Sequence, residues 1–207
     1  MQEYTTIEGN YTAEYTEKHS RFIATAFFCD SEDMAAEIIA AQKSKYWDAR
    51  HNVYAYILQN GNMKFSDDGE PHGTAGMPIL DVIKGSGVTN VLIVVTRYFG
   101  GILLGTGGLV RAYSTSARDA LQGAKKVLMC GCTQFSVVCD YSNHSRLVRL
   151  IDDAGGMLID TVFTDKVEVI FRFKNIDCDE FLSKLNEAFA AKLQAKVVDN
   201  NFFAFNL

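Results

Sequence analysis

Residues 91–96, VLIVVT, form a continuously apolar and largely β-branched run. Such a run is typical of a β-strand that is covered on both faces, because it offers no polar position to solvent. A glycine-rich segment follows, with five glycines among the nine residues 100–108. The pattern after it predicts a long helix from about residue 109 to residue 122. We therefore expect a buried strand, a glycine-rich loop and a helix in succession.

The remainder of residues 1–129 alternates between strand and helix patterns. Ser31 is a predicted N-cap, and the helix after it is expected to bury Met34, Ile38 and Ile39. Thr74 is a second predicted cap. We predict the following elements here: strands at residues 14–29, 52–59 and 63–66, helices at about residues 32–43 and 75–84, and turns at residues 60–62 and 85–87.

The pattern changes beyond residue 130. Asn143 and Asp177 are predicted helix caps. The predicted elements are strands at residues 133–141, 157–163, 167–173 and 195–205, with a helix at residues 143–153 and another after Asp177. This βαββαβ order is typical of a ferredoxin-like module. The sequence thus predicts an α+β protein with two domains, residues 1–129 and residues 130–207.

Composition narrows the class of protein. The 207 residues carry a net charge of −5, which excludes a surface that is positive throughout but leaves room for a local basic groove. No apolar run reaches the ~20 residues of a membrane helix, and residues 1–4 do not resemble a secretory signal. The five cysteines include no CxxC pair, so we expect reduced thiols and a cytoplasmic protein. We expect no metal, no cofactor and no membrane partner.

The glycine-rich segment is the first candidate site. Glycines between a strand and a helix let backbone N–H groups face an anion, and the helix dipole adds to the attraction. The segment lacks the spacing of a Walker loop or a dinucleotide fingerprint. Close packing of the helix on the sheet is the alternative reason for the glycines. The predicted anion or phosphate ligands are Arg97, Gly100, Gly101, Gly105, Thr106, Gly107, Gly108 and Arg111.

An acidic turn is the second candidate site. Its side chains could hold a divalent cation or supply acid–base groups, or they could form a solvated turn that accepts backbone N–H bonds. Its residues are Asp67, Asp68, Glu70, His72 and Thr74, and the supporting residues are Arg21 and His51.

Basic residues of the first domain are interleaved with Tyr46, Trp47, Tyr98 and Tyr113. Such interleaving suits nucleic acid only where the basic groups cluster in space.

Four stretches resemble the IMPACT family, in its bacterial YigZ-type branch. They are SRF at residues 20–22, RHNVYAY at residues 50–56, SDDGEPHGTAGMP at residues 66–78 and VVTRYFGGILLGTGGLVRAY at residues 94–113. The resemblance implies an N-terminal βαβ domain like that of a ribosomal small-subunit protein and of GHMP-type kinases. It also implies a C-terminal domain similar to the last domain of translocase elongation factors.

The resemblance further implies a role in translation. Eukaryotic relatives regulate translation through an extra N-terminal domain that this sequence does not show, so we do not extend their protein partnership to this chain. We expect a protein that binds RNA or a ribosomal particle. One alternative is an enzyme acting on a phosphorylated or nucleotide ligand, a phosphate-bearing small molecule. The other is a protein-interaction scaffold whose two loops only pack the domain.

Overall fold

The computed structural model describes residues 3–206. The chain forms two compact units, Tyr4–Leu128 and Met129–Phe205, which we call the N-terminal and C-terminal units. Both mix helices and strands, and the predicted α+β class is confirmed. Within the described range, no helix is both long and apolar enough to cross a bilayer.

The N-terminal unit contains one five-stranded sheet with the order β2-β3-β6-β4-β5. Each neighbouring pair in it is antiparallel. Because β6 lies between them, β3 and β4 run parallel to each other, and α1 connects them as a split βαβ unit. The strands are β1 Tyr4–Ile7, β2 Asn10–Glu17, β3 Ser20–Phe28, β4 His51–Ile57, β5 Met63–Ser66 and β6 Val91–Tyr98, and the helices are α1 Glu32–Lys45, α2 Gly76–Ser86 and α3 Gly105–Gly123.

Strand β6 is buried on both faces, as its sequence predicts. Val91, Ile93 and Val95 pack in the larger core, with the buried faces of α2 and α3. Leu92 and Val94 pack on the opposite face, in a cluster that includes α1. The middle strand is therefore sealed between two helical layers, and only its end can open on a functional surface.

Helix α3 begins earlier than the sequence predicts. It starts at Gly105 rather than near residue 109, so part of the glycine-rich segment forms its first turn. Gly105 has a φ of +71°, a conformation that glycine adopts without strain. Poor helix formers occupy this turn, and the buried stripe on α3 stabilises the helix instead. That stripe comprises Leu109, Ala112, Tyr113, Ser116, Ala117, Ala120 and Leu121.

Two further predictions for the N-terminal unit need correction. Residues 14–29 are not one strand, because Lys18 and His19 both have positive φ and turn the chain between β2 and β3. Thr74 does not cap α2, since its hydroxyl donates to the carbonyl of Pro71. Ser31, by contrast, does cap α1 by accepting the N–H of Met34 at 3.3 Å, as predicted.

The C-terminal unit has the predicted βαββαβ order. Its strands are arranged as β10-β7-β9-β8, and the β7–β9 and β9–β8 pairs are antiparallel. Alternate residues of β9 are buried beneath the two helices, where Phe171, Phe173 and Phe181 pack closely. The elements are β7 Lys126–Cys139, α4 Tyr141–Asp153, β8 Met157–Phe163, β9 Val167–Lys174, α5 Cys178–Ala188 and β10 Ala195–Asn206.

The caps of this unit differ from the predicted ones. Helix α4 begins at Tyr141, with Asp140 at the N-cap position, so Asn143 already lies inside the first turn. There the backbone N–H of Asn143 donates to the carbonyl of Asp140 at 2.9 Å. Asp177 does occupy the N-cap position of α5, but its side chain makes no capping hydrogen bond.

Candidate functional site

Three strands place three side chains in one row across the sheet of the N-terminal unit. Arg97 on β6 pairs in register with Phe22 on β3 and with His51 on β4. Side chains alternate along a strand, so Arg97 points to the same face as Val95 and Ile93, the face covered by α2 and α3. The row lies where β6 ends and the glycine-rich segment begins.

Arg97 is buried and paired there with Glu70. Its Nη1 lies 2.6 Å from Glu70 Oε1, and the two side chains are 6% and 3% exposed. The guanidinium lies over the rings of Phe22 and Phe99, at 5.5 and 5.7 Å. Its Nη2 donates to Ser20 Oγ at 3.4 Å, while its Nε is buried without a hydrogen-bond partner among the described groups. Glu70 thus neutralises much of the charge that Arg97 brings.

Tyr113 of α3 completes this buried cluster. Its hydroxyl donates to Glu70 Oε1 at 2.7 Å, and its ring packs edge-on against Phe22 with the centroids 5.2 Å apart. Burial raises the pKa of Tyr113, and the neighbouring carboxylate of Glu70 raises it further. The phenol therefore stays protonated and serves as a permanent donor to Glu70.

His51 adds a ring whose tautomer follows from its contacts. Its Nδ1 lies 2.8 Å from the backbone carbonyl oxygen of Asp68, which can only accept a hydrogen bond, so Nδ1 is the donor. In the neutral ring the lone pair is then on Nε2, which lies 3.8 Å from Glu70 Oε1. This side chain is 13% exposed, and it borders a cavity. The arrangement matches that of a base held by a backbone carbonyl.

The remaining acidic side chains of the turn hold the backbone together. Asp67 accepts the N–H groups of Gly73, Ala75 and Gly76 at 2.8, 3.1 and 2.8 Å, and so caps the start of α2. Asp68 accepts the N–H of Asn52 at 2.7 Å and pairs with Lys43 at 2.6 Å. These contacts match the alternative of carboxylates that accept backbone N–H bonds. Within the described part of the chain, no group of three His, Cys, Asp or Glu residues could hold a metal ion.

A cavity of about 400 Å³ lies beside this cluster, at the start of α3. No side chain caps the first turn of α3, so its leading N–H groups are left for another acceptor. Arg50 borders the cavity, is exposed, and has no carboxylate within ion-pair distance among the described residues. The cavity is lined by Arg50, His51, Glu70, Pro71, Arg97, Phe99, Leu103, Leu104, Gly105, Thr106 and Leu109.

Some of the predicted site residues meet at this cavity, and others lie elsewhere. The cavity brings together Arg97, Gly105, Thr106, Glu70 and His51. Its lining does not include Gly100, Gly101, Gly107, Gly108 or Arg111, nor Asp67, Asp68, His72 or Thr74. The Arg111 guanidinium lies near Gly107 instead, since an ideal Cβ on Gly107 would be 3.8 Å from its Nη1. Arg21 is exposed and forms a 2.6 Å pair with Glu14 on β2.

Several residues of the site are absent from the predicted set. Among them, Arg50, Phe99 and Leu103 line the cavity, and Tyr113 contacts Glu70. Tyr113 belongs to the apolar stripe of α3, and this spacing was the available signal for its burial. Leu103 is 82% exposed and Phe99 48% exposed, and nothing in their local sequence separates them from ordinary loop residues.

A second cavity, of about 640 Å³, lies between α2 and α3. It is larger, but it lacks the features that argue for chemistry at the first. Its charged lining consists of Asp81, Arg118 and Lys126. All three are exposed, and none of the described acid–base cluster borders it. We therefore take the cavity at the start of α3 as the candidate site.

Comparison with known proteins gives a match in each unit. Residues 18–121 match the Impact N-terminal domain, and residues 137–192 match a domain of unknown function, DUF1949. The IMPACT family member YigZ of Escherichia coli K12 is 33% identical over 88% of this chain and 91% of its own length. An IMPACT family member of Haemophilus influenzae is 32% identical over 96% of this chain and 98% of its own length.

A solved structure is also similar over almost the whole length. It is the crystal structure of a protein described only as hypothetical, 31% identical, with a TM-score of 0.64. The superposition covers 96% of this chain and 98% of that one. With two family domains matched and two relatives similar over most of their length, the chain belongs to the IMPACT family.

Proposed function

We propose that this protein binds RNA, free or within a ribosomal particle, in the cytoplasm, and that it acts in the regulation of translation. The cavity at the start of α3 holds a phosphate of that RNA. One observation carries the proposal: the uncapped first turn of α3 and the exposed Arg50 border the same cavity. Translation is the setting that the family resemblance implies. The five cysteines, all free and buried, support a reducing compartment.

The charges of the cavity favour an anion. Glu70 is offset by Arg97, so Arg50 and the amide dipoles of α3 leave a positive balance. Gly105, which has no side chain, and Thr106 border the cavity at the start of the helix. A volume of about 400 Å³ is within the range of small-molecule sites and suits one nucleotide unit rather than a duplex.

The experiment measures binding of a fluorescently labelled oligouridylate by anisotropy at several salt concentrations. Binding is expected to weaken steeply between about 50 and about 200 mM salt. Arg50→Ala should weaken it further and lower the salt slope by about one phosphate contact. Arg21→Ala is the matched control, because Arg21 is already engaged by Glu14. An RNA affinity that is unchanged by Arg50→Ala would contradict the binding of a phosphate in this cavity and would favour the scaffold alternative.

A second function is favoured by a specific observation. His51 lines the cavity, its Nδ1 is held by the carbonyl of Asp68 and its Nε2 lies 3.8 Å from Glu70 Oε1. An imidazole held in this way could serve as a base toward a phosphorylated or nucleotide ligand. The test is a panel of nucleotide and phosphoester hydrolysis assays on the wild type and on His51→Gln. Turnover that His51→Gln abolishes without loss of binding would support an enzyme. A panel without turnover would leave binding as the function.

A further inference from the structure

The chain contains one tryptophan, Trp47, and its side chain is 83% exposed. It lies in the turn between α1 and β4. No ring of the described residues stacks on it, and no described cation lies over it. Because the ring is exposed and has no ring or cation contact among the described residues, its faces are accessible to an external partner.

The turn that carries Trp47 is held firmly. The N–H of Ala49 donates to the carbonyl of Tyr46 at 3.1 Å, and the N–H of Arg50 donates to the carbonyl of Arg97 at 3.1 Å. The hydroxyl of Tyr98 donates to the carboxylate of Asp48 at 2.8 Å. Backbone and side-chain contacts thus fix the residues on both sides of the exposed ring. The backbone that carries the ring is therefore preorganised, which lowers the entropy cost of binding a partner there.

Trp47 stands next to the candidate site. It precedes Arg50 by three residues, and three residues span at most about 11 Å. Arg50 borders the cavity, as do Phe99 and Leu103, which are 48% and 82% exposed. The Lys45 ammonium lies 4.9 Å from the ring of Tyr46 in the same turn. At the cavity itself the exposed Phe99 and Leu103 adjoin the basic Arg50, and Trp47 lies three residues along the chain from Arg50.

We propose that Trp47 is a stacking platform for an unpaired base of single-stranded RNA, whose neighbouring phosphate occupies the cavity at the start of α3. The inference rests on the proposed function and names its substrate class. A base stacks on an exposed ring only when it is unstacked from its own strand, which excludes the interior of a duplex. The combination of a π-face with adjacent basic groups is that of single-strand binding surfaces.

The test uses Trp47 itself as the probe. Hexauridylate is titrated into the full chain while tryptophan fluorescence and the anisotropy of labelled hexauridylate are both measured. The fluorescence is expected to be quenched with the same midpoint as the anisotropy change. A long RNA duplex at the same nucleotide concentration, whose bases are paired and stacked except at its two ends, is expected to quench it much less. Absence of quenching at saturating hexauridylate, or equal quenching by the duplex, would overturn the stacking role.

Variants separate the stacking role from the pocket. Trp47→Ala should weaken hexauridylate binding about tenfold, and Trp47→Phe should retain most of the affinity because it keeps a ring. Met63→Ala is the control: Met63 is 50% exposed and lies on β5 opposite Ile57, the far end of β4 from His51. The unfolding curves of Met63→Ala and Trp47→Ala should both match that of the wild type.

The failures of the two proposals are distinguishable. If Arg50→Ala weakens binding and Trp47→Ala does not, the stacking inference is wrong and the phosphate site stands. If the wild type binds no hexauridylate at all, the proposed function and the stacking inference both fail. Loss with both variants and none with Met63→Ala supports the two together.

Discussion

The carboxylate of Glu70 lies 2.6 Å from Nη1 of Arg97, although the two residues are 27 positions apart in the chain. The pair is almost wholly excluded from water, and Tyr113 donates a further hydrogen bond to the same oxygen. Arg97 is therefore not a surface cation waiting for phosphate. It forms part of one wall of the cavity, which Arg50 and the first residues of α3 also line. In our proposal, Arg50 and this first turn bind the anion.

Breaking this pair from the acidic side should be costly. Glu70→Ala leaves the Arg97 guanidinium buried without a counter-charge, and we expect the free energy of unfolding to fall by about 3–5 kcal/mol. Urea unfolding followed by circular dichroism measures the change. Glu14→Ala is the matched control, because the Glu14–Arg21 pair is about half exposed and should contribute little. Similar small losses in both variants would show that the buried pair is not a structural element of the site.

Tyr113 should make stability fall at alkaline pH. Its folded pKa is raised by burial and by Glu70, so the protonated phenol stabilises the fold below the unfolded pKa of about 10. Above that pH the unfolded phenol ionises first, and stability is lost by up to about 1.4 kcal/mol per pH unit. Tyr113→Phe should be less stable than the wild type at pH 8, by about 1 kcal/mol for the lost hydrogen bond.

The difference in unfolding free energy between the wild type and Tyr113→Phe reports on the Tyr113 phenol alone. Other tyrosines with raised pKa values, such as Tyr4 and Tyr56, contribute equally to both. When both proteins are measured at pH 8, 10 and 11, the unfolding free energy of the wild type should therefore approach that of Tyr113→Phe as the pH rises. Parallel lines for wild type and Tyr113→Phe would mean that the Tyr113 phenol is not protonated in the way that its contacts require.

Asp67 should matter for folding rather than for ligand binding. Its carboxylate accepts three backbone N–H groups at the start of α2, and Asp67→Ala leaves them unsatisfied. We expect a loss of about 2 kcal/mol in unfolding free energy. His72→Ala is the control from the same turn, because His72 is exposed and lines neither cavity. An Asp67→Ala protein as stable as the wild type would contradict the capping role.

The backbone of the β2–β3 turn passes so close to residue 100 that only glycine fits there. A Cβ there would overlap the backbone of His19 and Ser20 in the β2–β3 turn, so Gly100→Ala should destabilise by about 2 kcal/mol. Gly85 on α2 has open space around it, and Gly85→Ala should stabilise by about 0.5–1 kcal/mol. Thermal unfolding of the two variants gives shifts of opposite sign. A stabilised Gly100→Ala protein would show that the two loops are not packed together.

Local sequence information was sufficient where one residue pattern decides the structure. The apolar run of β6 predicted a doubly covered strand, and the βαββαβ order of the C-terminal unit followed from alternating patterns. Local sequence information was insufficient where non-glycine residues adopt a left-handed backbone conformation. Lys18 and His19 turn the chain with positive φ although neither is glycine or asparagine, so the hairpin left no turn signal.

The site depended on contacts between distant residues. The sequence identified Glu70, Arg97 and His51 as candidates, but only the strand register aligns His51 with Arg97 and Phe22. The start of α3 was missed because glycines have low helix propensity, and packing of the stripe that includes Leu109 and Tyr113 overrides it. For Asp67 the sequence left two alternatives, a metal or acid–base group and an acceptor of backbone N–H bonds, and the hydrogen bonds to the start of α2 match the second.

Amide NMR shows whether a phosphate of RNA binds at the first turn of α3, as we propose. Hexauridylate is titrated into the ¹⁵N-labelled protein and the shift of each backbone amide is recorded. We expect the amide signals of Gly105, Thr106 and Arg50 to shift most, and we expect Arg50→Ala to reduce the shifts of Gly105 and Thr106. Saturated binding that leaves the Gly105 and Thr106 amides unmoved, with the shifts confined to another surface, would contradict it.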